Sequence, residues 1–330
     1  MPLTPPSTSV SSSASASTSA ADLVAAIDIG GTKIAGALVD ATGALLARTR
    51  HPTPATEGAD ALMAQVVRVL DELRAHPEWG RVRALGVGSA GPVDTAAGTV
   101  SPVNIPGWRG FPLVDRLDEA VRAGGEELPV RLIGDGAAVA AAEFWDGAAR
   151  GRTHALCMVV STGVGGGLVL DGKLYTGPSG NAGHIGHMSV DLDGEPCPCG
   201  GRGCVERLAS GPSIVRYALA HGWSPPAGEE ATARTVADAA RRGEPVPRAA
   251  FARAARAVAA AVAATAALVE LEVVVIGGGV AAAGDLLFAA VRAELTTYAT
   301  LSFTRDVRVV PARAGTDAGL VGAAAVAFGI

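Results

Sequence analysis

The feature that most constrains this chain is a pattern that occurs twice. Residues 23–50, LVAAIDIGGTKIAGALVDATGALLARTR, read as strand, Gly turn, strand, DATG turn, strand. Residues 154–177, HALCMVVSTGVGGGLVLDGKLYTG, repeat that order with an LDG turn in place of DATG. A three-stranded unit that recurs so far along the chain implies an internal duplication. Each half continues as alternating helical and strand patterns, which predicts α/β layers. Two similar halves facing each other leave a cleft, the usual place for a ligand.

The intervening segments fit that scheme. GADALMAQVVRVLDELRA (58–75) has apolar residues at helical spacing, and RVRALGVGSAGPVD (81–94) is a short buried strand ending in a Gly/Pro loop. SPVNIPGWRG (101–110) is a loop, and VRLIGDGAAVAAAEFWDGAARG (130–151) is a strand, a turn at Asp135 and an Ala-rich helix. The Pro-, Gly- and charge-rich residues 221–247 read as a surface excursion. A long helix near 248–270, the strand VVVIGGGV (273–280), a helix from about 281, the strand DVRVVPA (306–312) and a last apolar helix, 317–330, close the chain. We expect an N-terminal α/β domain over 23–134, completed by helix 317–330, and a larger α/β domain over 135–316.

Composition narrows the class. The chain has 330 residues, enough for two cores, with 49% apolar and 18% charged residues. A net charge of −5 argues against nucleic acid as a partner. Residues 1–22 are dominated by Ser, Ala, Thr and Pro, with no Lys or Arg and no apolar core, so they read as a disordered tail and not as a secretory signal. The apolar run AVAAAVAATAALVELEVVVIGGGV is broken by Glu270 and Glu272 and reads as a buried helix entering a strand, with no membrane partner implied. Three of the four cysteines crowd into residues 197–204, which is no disulfide framework and fits a reducing, cytoplasmic setting.

Both Gly turns are candidate phosphate loops. In DIGGTK, Gly30 and Gly31 let backbone N–H groups approach phosphate oxygens. Thr32 adds a hydroxyl, Lys33 a cation, and Asp28 a carboxylate suited to hydrated Mg²⁺. In STGVGGG, Ser161 and Thr162 supply hydroxyls, and Gly163 and Gly165 lead the glycines. The Gly277–Gly278–Gly279 turn after a strand could cradle the nucleoside end of ATP. None of the three is a Walker A loop, because the GK[ST] ending is missing.

In this order, DIGGTK, NIPGW, STGVGGG, GHIGH and CPCGGRGC resemble the ROK (repressor, open reading frame, kinase) family over roughly residues 23–330. The resemblance implies a two-domain hexokinase/actin-like ATPase fold and ATP-dependent phosphorylation of a hexose hydroxyl, glucokinase-like. It also implies Asp135 as general base, a contribution of about 10²–10⁴-fold, and a homodimer. It carries sugar contacts to Asn104, Asp135, His184, His187 and Glu206. His187, Cys197, Cys199 and Cys204 supply one nitrogen and three sulfurs, a closed tetrahedral set for structural Zn²⁺.

The chain departs from the family pattern at three sites. Gly134 and Ala137 stand where Asn is usual on either side of the base, and His184 stands where Glu is usual. An imidazole donates one hydrogen bond and accepts one, where a carboxylate only accepts, so the hydroxyl pattern read should differ. Fructose, mannose, N-acetylmannosamine and N-acetylglucosamine are therefore rival acceptors, and a non-catalytic sugar-binding protein is the reading from another class. The family's repressor branch carries an N-terminal helix-turn-helix, which residues 1–22 are too short and too uncharged to make.

Overall fold

An unbroken apolar run makes the first strand a central one, and the structure builds outward from it. The structure is a computed structural model that describes residues 22–330; the expected disordered tail lies, apart from Asp22, outside the described residues. Strands β1 (Leu23–Ile29), β2 (Lys33–Asp40) and β3 (Leu45–Pro52) form an antiparallel meander. Its second turn is fixed by Asp40, whose Oδ1 accepts from the Thr42 and Ala44 amides. Helix α1 (Ala59–Arg74) then leads to β4 (Val82–Ser89), parallel to β1. The small hairpin β5 (Val93–Asp94) and β6 (Thr99–Val100), helix α2 (Leu113–Ala123) and strand β7 (Val130–Gly134) complete this half.

Helix α3 (Asp135–Asp146) crosses to a second sheet. There β8 (Ala155–Val160), β9 (Val164–Leu170) and β10 (Lys173–Tyr175) form the second meander, with Asp171 and Gly172 at positive φ in its turn. After α4 (Val205–Ala209), α5 (Gly211–Ala220), α6 (Ala233–Arg241) and α7 (Pro245–Val269) come β11 (Val273–Gly277), α8 (Asp285–Tyr298), β12 (Arg308–Pro311) and α9 (Ala318–Phe328). The strand orders are β3-β2-β1-β4-β7 and β10-β9-β8-β11-β12. Each sheet is a meander followed by two parallel strands on the same side, so the duplication extends beyond the three-stranded unit.

The chain passes between the sheets twice, at α3 and at the segment before α9, and both crossings are tied. Glu143 of α3 is fully buried, and its Oε1 accepts from the Arg313 and Ala314 amides at 2.8 and 2.7 Å. Its Oε2 accepts from the Ala148 amide at 2.7 Å. Helix α9 packs against α3 and on β1 and β4 of the first sheet.

Helix α7 is long and apolar enough to cross a membrane by length and composition, yet it is packed as a core helix, with Phe251, Val258 and Val262 buried. The surface excursion expected at 221–247 requires correction. Thr232 caps α6 by accepting from the Thr235 amide, and Val236, Ala237, Ala239 and Ala240 are buried in the second core. Apolar spacing outweighed the flanking Pro and Gly residues.

Candidate active site

The first Gly turn connects β1 to β2 and closes through the Gly30 N–H, which donates to the Lys33 carbonyl at 2.9 Å. Asp28 is the penultimate residue of β1. Its side chain lies over Gly319, where a Cβ would come within 2.6 Å of Oδ2. Burial raises the Asp28 pKa to about 6; Lys33 opposes the shift and Asp135 adds to it. Thr32 is exposed at the tip. Asn104 places its amide against Gly31, so the NIPGW loop and the first Gly turn are in contact.

The second Gly turn joins β8 to β9. Ser161 donates its N–H to the Gly163 carbonyl at 2.8 Å, and its own carbonyl accepts from Gly211 at 2.7 Å. A Cβ on Gly279 would stand 3.5 Å from Ser161 Oγ, so the triple-Gly turn after β11 abuts this loop. Thr162 is exposed, and Gly163 and Gly165 are partly buried. Glu206, in the first turn of α4, reaches back into the turn: its Oε2 accepts from the Val164 amide at 2.8 Å.

Asp135 stands at the mouth of α3 between these two turns. Its side chain does not cap the helix. Gly134 is the N-cap residue, no side chain caps the end, and Asp135 Oδ1 accepts from its neighbour's amide, Gly136 N, at 2.7 Å. The carboxylate is thus left open to solvent in the cleft. Surrounding protein raises its pKa, while the Gly136 amide and the nearby His184 oppose the shift. Gly136 lets the helix sit against β9: a Cβ there would come within 2.5 Å of the Gly166 carbonyl oxygen. Ala137 is buried in the core between α3 and α9, whereas at Gly134 a Cβ would meet only Gly180 O at 3.5 Å and Val93 Cγ2 at 3.7 Å.

His184 is exposed, with Nε2 facing Gly91 at 3.4 Å from an ideal Cβ there. Its ring centroid lies 6.2 Å from that of His187. The loop that carries it is held to the first half by Asn181, a residue sequence reading missed. Asn181 Oδ1 accepts from the Val93 amide at 3.0 Å, and its Nδ2 donates to the Val93 carbonyl at 2.6 Å. Asn in a Gly-rich loop gives no signal of a partner 88 residues away.

The His187, Cys197, Cys199 and Cys204 ligand atoms lie within 4.8 Å of one another. Cys199 and Cys204 Sγ are 3.7 Å apart, against about 3.8 Å for two thiolates at about 2.3 Å on a tetrahedral Zn²⁺. His187 turns Nδ1 to Cys197 Sγ at 4.0 Å. Burial and the two neighbouring thiols push Cys204 up to about 12, while the Gly201 amide pulls Cys199 down. Crowded thiolates of this kind call for a cation, and the donor set fits structural zinc. All four cysteines are free thiols, and Cys157, buried in β8, belongs to the core.

The contacts thus link Asn104 to the first Gly turn, Glu206 and the triple-Gly turn to the second, and Asp135 electrostatically to Asp28 and His184. Comparisons with known proteins show the family and the fold. The ROK family profile matches residues 24–329. An N-acetylmannosamine kinase of Escherichia coli is 39% identical, over 92% of this chain and 98% of its own. A glucokinase of Thermotoga maritima is 34% identical, over 91% of this chain and 95% of its own. The crystal structure of a glucokinase of the same family from Streptomyces griseus, in complex with glucose and AMPPNP, superposes with a TM-score of 0.76 at 34% identity, covering 92% of this chain and 98% of that one.

Proposed function

The chain belongs to the ROK family, and on that premise we propose that it is an ATP-dependent sugar kinase that phosphorylates a hexose hydroxyl, glucokinase-like. The observation that carries the reading is the position of Asp135: an uncapped carboxylate in the cleft, between two Gly hairpins and beside His184.

Phosphoryl transfer to an alcohol needs positioning, charge neutralisation and a proton acceptor. Asp135 takes the hydroxyl proton, its raised pKa bringing it closer to neutral and making it a better base. The N–H groups of Gly31, Thr32, Gly163 and Gly165, with the Thr32, Ser161 and Thr162 hydroxyls, cradle the phosphates of ATP, while Gly30 closes the first turn on Lys33; Gly277, Gly278 and Gly279 line its nucleoside end. Lys33 supplies a cation at the first turn, and Asp28 would hold hydrated Mg²⁺, which neutralises developing phosphate charge when bound. Asn104, His184, His187 and Glu206 line the sugar side. Zinc on His187, Cys197, Cys199 and Cys204 fixes the loop that presents them. In this reading residues 23–134 with 317–330 make one domain and 135–316 the other, and the enzyme acts as a cytoplasmic homodimer.

A second reading, a kinase for an N-acetylated hexosamine, is favoured by the 39% identity to the N-acetylmannosamine kinase of Escherichia coli.

The test is ADP release with Mg·ATP across glucose, mannose, fructose, N-acetylmannosamine and N-acetylglucosamine. Sugar-dependent turnover on one of them supports the kinase and names the acceptor. Binding of a sugar without any turnover would leave a sugar-binding protein and overturn the proposal.

A further inference from the structure

Three arginines from three helices converge on one carboxylate beside the Cys/His cluster. Glu195 lies on the loop two residues before Cys197. Its Oε2 is 2.9 Å from Arg207 Nη2 of α4 and 3.4 Å from Arg216 Nη2 of α5, and its Oε1 is 3.7 Å from Arg253 Nη2 of α7. Three guanidinium charges against one carboxylate leave a surplus of positive charge at close quarters. Pinning the loop would need one arginine; the other two repel it and each other. Arg216 feels that repulsion: after burial, Arg207 lowers its pKa most, and Arg253 adds to the effect while Glu195 opposes it.

Some donors are engaged and others are not: Arg216 Nη2 also donates to the Arg207 carbonyl at 3.1 Å and to Ser213 Oγ at 3.3 Å. Arg207 Nε is buried with no hydrogen-bond partner. Among the described residues, Arg253 has only the long contact to Glu195 and a cation–π approach to Tyr217, 5.3 Å from the ring centroid. The cluster opens to solvent, with side-chain exposures of 26%, 39% and 26% for Arg207, Arg216 and Arg253, and 47% for Glu195. A carboxylate oxygen shared by two guanidinium groups marks where an oxyanion sits, and planar guanidinium forks match phosphate oxygens well.

We propose that Arg207, Arg216 and Arg253 form a binding site for a phosphate group, separate from the catalytic cleft, with Glu195 as the internal carboxylate that competes for it. A dianion meets the three guanidinium groups better than one carboxylate does, and it displaces Glu195 from them. The site also communicates. The Glu195 carbonyl accepts from Gly203 N at 2.9 Å inside the Cys-rich hairpin. Arg207 follows Glu206 in α4, and Glu206 holds the Val164 amide of the second Gly turn. A phosphate here therefore acts on the hairpin and on α4 together. The ligand is inorganic phosphate or a sugar phosphate, which share the recognised group.

The experiment is calorimetric titration of the zinc-loaded full chain, with the cleft filled by Mg·AMPPNP and a hexose, against inorganic phosphate and, in a second arm, glucose 6-phosphate at constant ionic strength. We expect saturable binding of the phosphate group, with the tighter arm naming its source. Arg216→Gln and Arg253→Gln each weaken it about tenfold or more, whereas Glu195→Gln strengthens it about fivefold to tenfold, since the internal competitor is gone. The increase in Glu195→Gln separates a ligand site from a bracing ion pair, whose loss would only lower stability. Absence of saturable binding in the wild type, or phosphate affinity that Glu195→Gln leaves unchanged or lowers, overturns the proposal. Arg253→Gln alone decides the arginine arm if Arg216→Gln does not fold.

Discussion

The two Gly hairpins occupy matching places in the two sheets and have diverged in chemistry. The first, between β1 and β2, carries its own charges, Asp28 and Lys33, and is held from its own meander by Thr53, just after β3, whose hydroxyl donates to the Gly30 carbonyl at 2.6 Å and whose N–H donates to the Thr32 carbonyl at 3.1 Å, while the Asn104 amide lies against Gly31. The second, between β8 and β9, carries no charge and is held by other elements: Glu206 on the Val164 amide, Gly211 on the Ser161 carbonyl, and α3 through the Gly136–Gly166 approach. Duplication supplied one backbone device twice. In the proposed function the first copy would serve as a metal and phosphate site with its own charges, and the second as a backbone cradle held by its neighbours.

Metal removal should break the symmetry most. Structural zinc in small peptides is worth roughly 10–16 kcal/mol of apparent binding, so chelation, or Cys197→Ser, should abolish nearly all activity. Hydrogen exchange should rise in residues 161–167 and stay unchanged in 28–33. Equal loosening of both turns would refute the asymmetry.

The next largest effect falls on Glu206. Glu206→Ala leaves the Val164 N–H unpaired, a cost of about 1–3 kcal/mol, and misplaces the second turn. Turnover should fall about 100-fold, with zinc content by atomic absorption unchanged.

Asp28→Asn should act oppositely on stability and activity. The folded-state pKa is about 6 against an ordinary 3.8, so the folded protein holds this proton more tightly than the unfolded chain does. Ionised Asp28 therefore destabilises the fold fully above pH 6, and that penalty disappears as pH falls below 3.8. At about 1.4 kcal/mol per pKa unit the penalty is at most about 3 kcal/mol, less whatever cleft water screens. The variant should melt higher than wild type at pH 7.5, lose that advantage towards pH 4, and bind Mg·ATP poorly at every pH. A variant that melts lower at neutral pH would contradict the assignment.

The smallest effects concern the glycines. Gly31→Ala meets the Asn104 side chain, from its amide to its Cβ, and no backbone, and should cost about 1 kcal/mol. Gly186→Ala drives a Cβ into the Val164 carbonyl, fixed backbone of the second cradle, and should cost about 1–3 kcal/mol. Denaturant midpoints of the pair measure whether the second turn is the rigidly held one.

Much of this was legible from the chain because strands and Gly turns are local signals. The run LVAAIDI is apolar enough to be a central strand, and DATG and LDG dictate their turns. The Cys/His cluster was legible because its spacing is short. Helix α2 was left unassigned in the sequence, although Leu113, Leu117 and Val121 lie on one face, because Pro112 before it and Gly124 and Gly125 after it leave only a short periodic stretch. The cap was not legible: Asp at a helix start normally caps it, whereas here Gly134 is the N-cap and Asp135 stands one position inside. Asn181 and the arginine cluster were not legible at all. Their partners are brought together only by the packing of the Cys-rich loop on α4, α5 and α7.

The central claim is that Asp135 is the base between the two cradles. The measurement is ADP release by Asp135→Asn with Mg·ATP and the accepted sugar, with sugar and nucleotide affinities measured calorimetrically on the same preparation. The account predicts both ligands bound within a few-fold of wild type and a turnover number down by about 10²–10⁴-fold. Turnover retained within tenfold, or loss explained entirely by failed sugar binding, would contradict it.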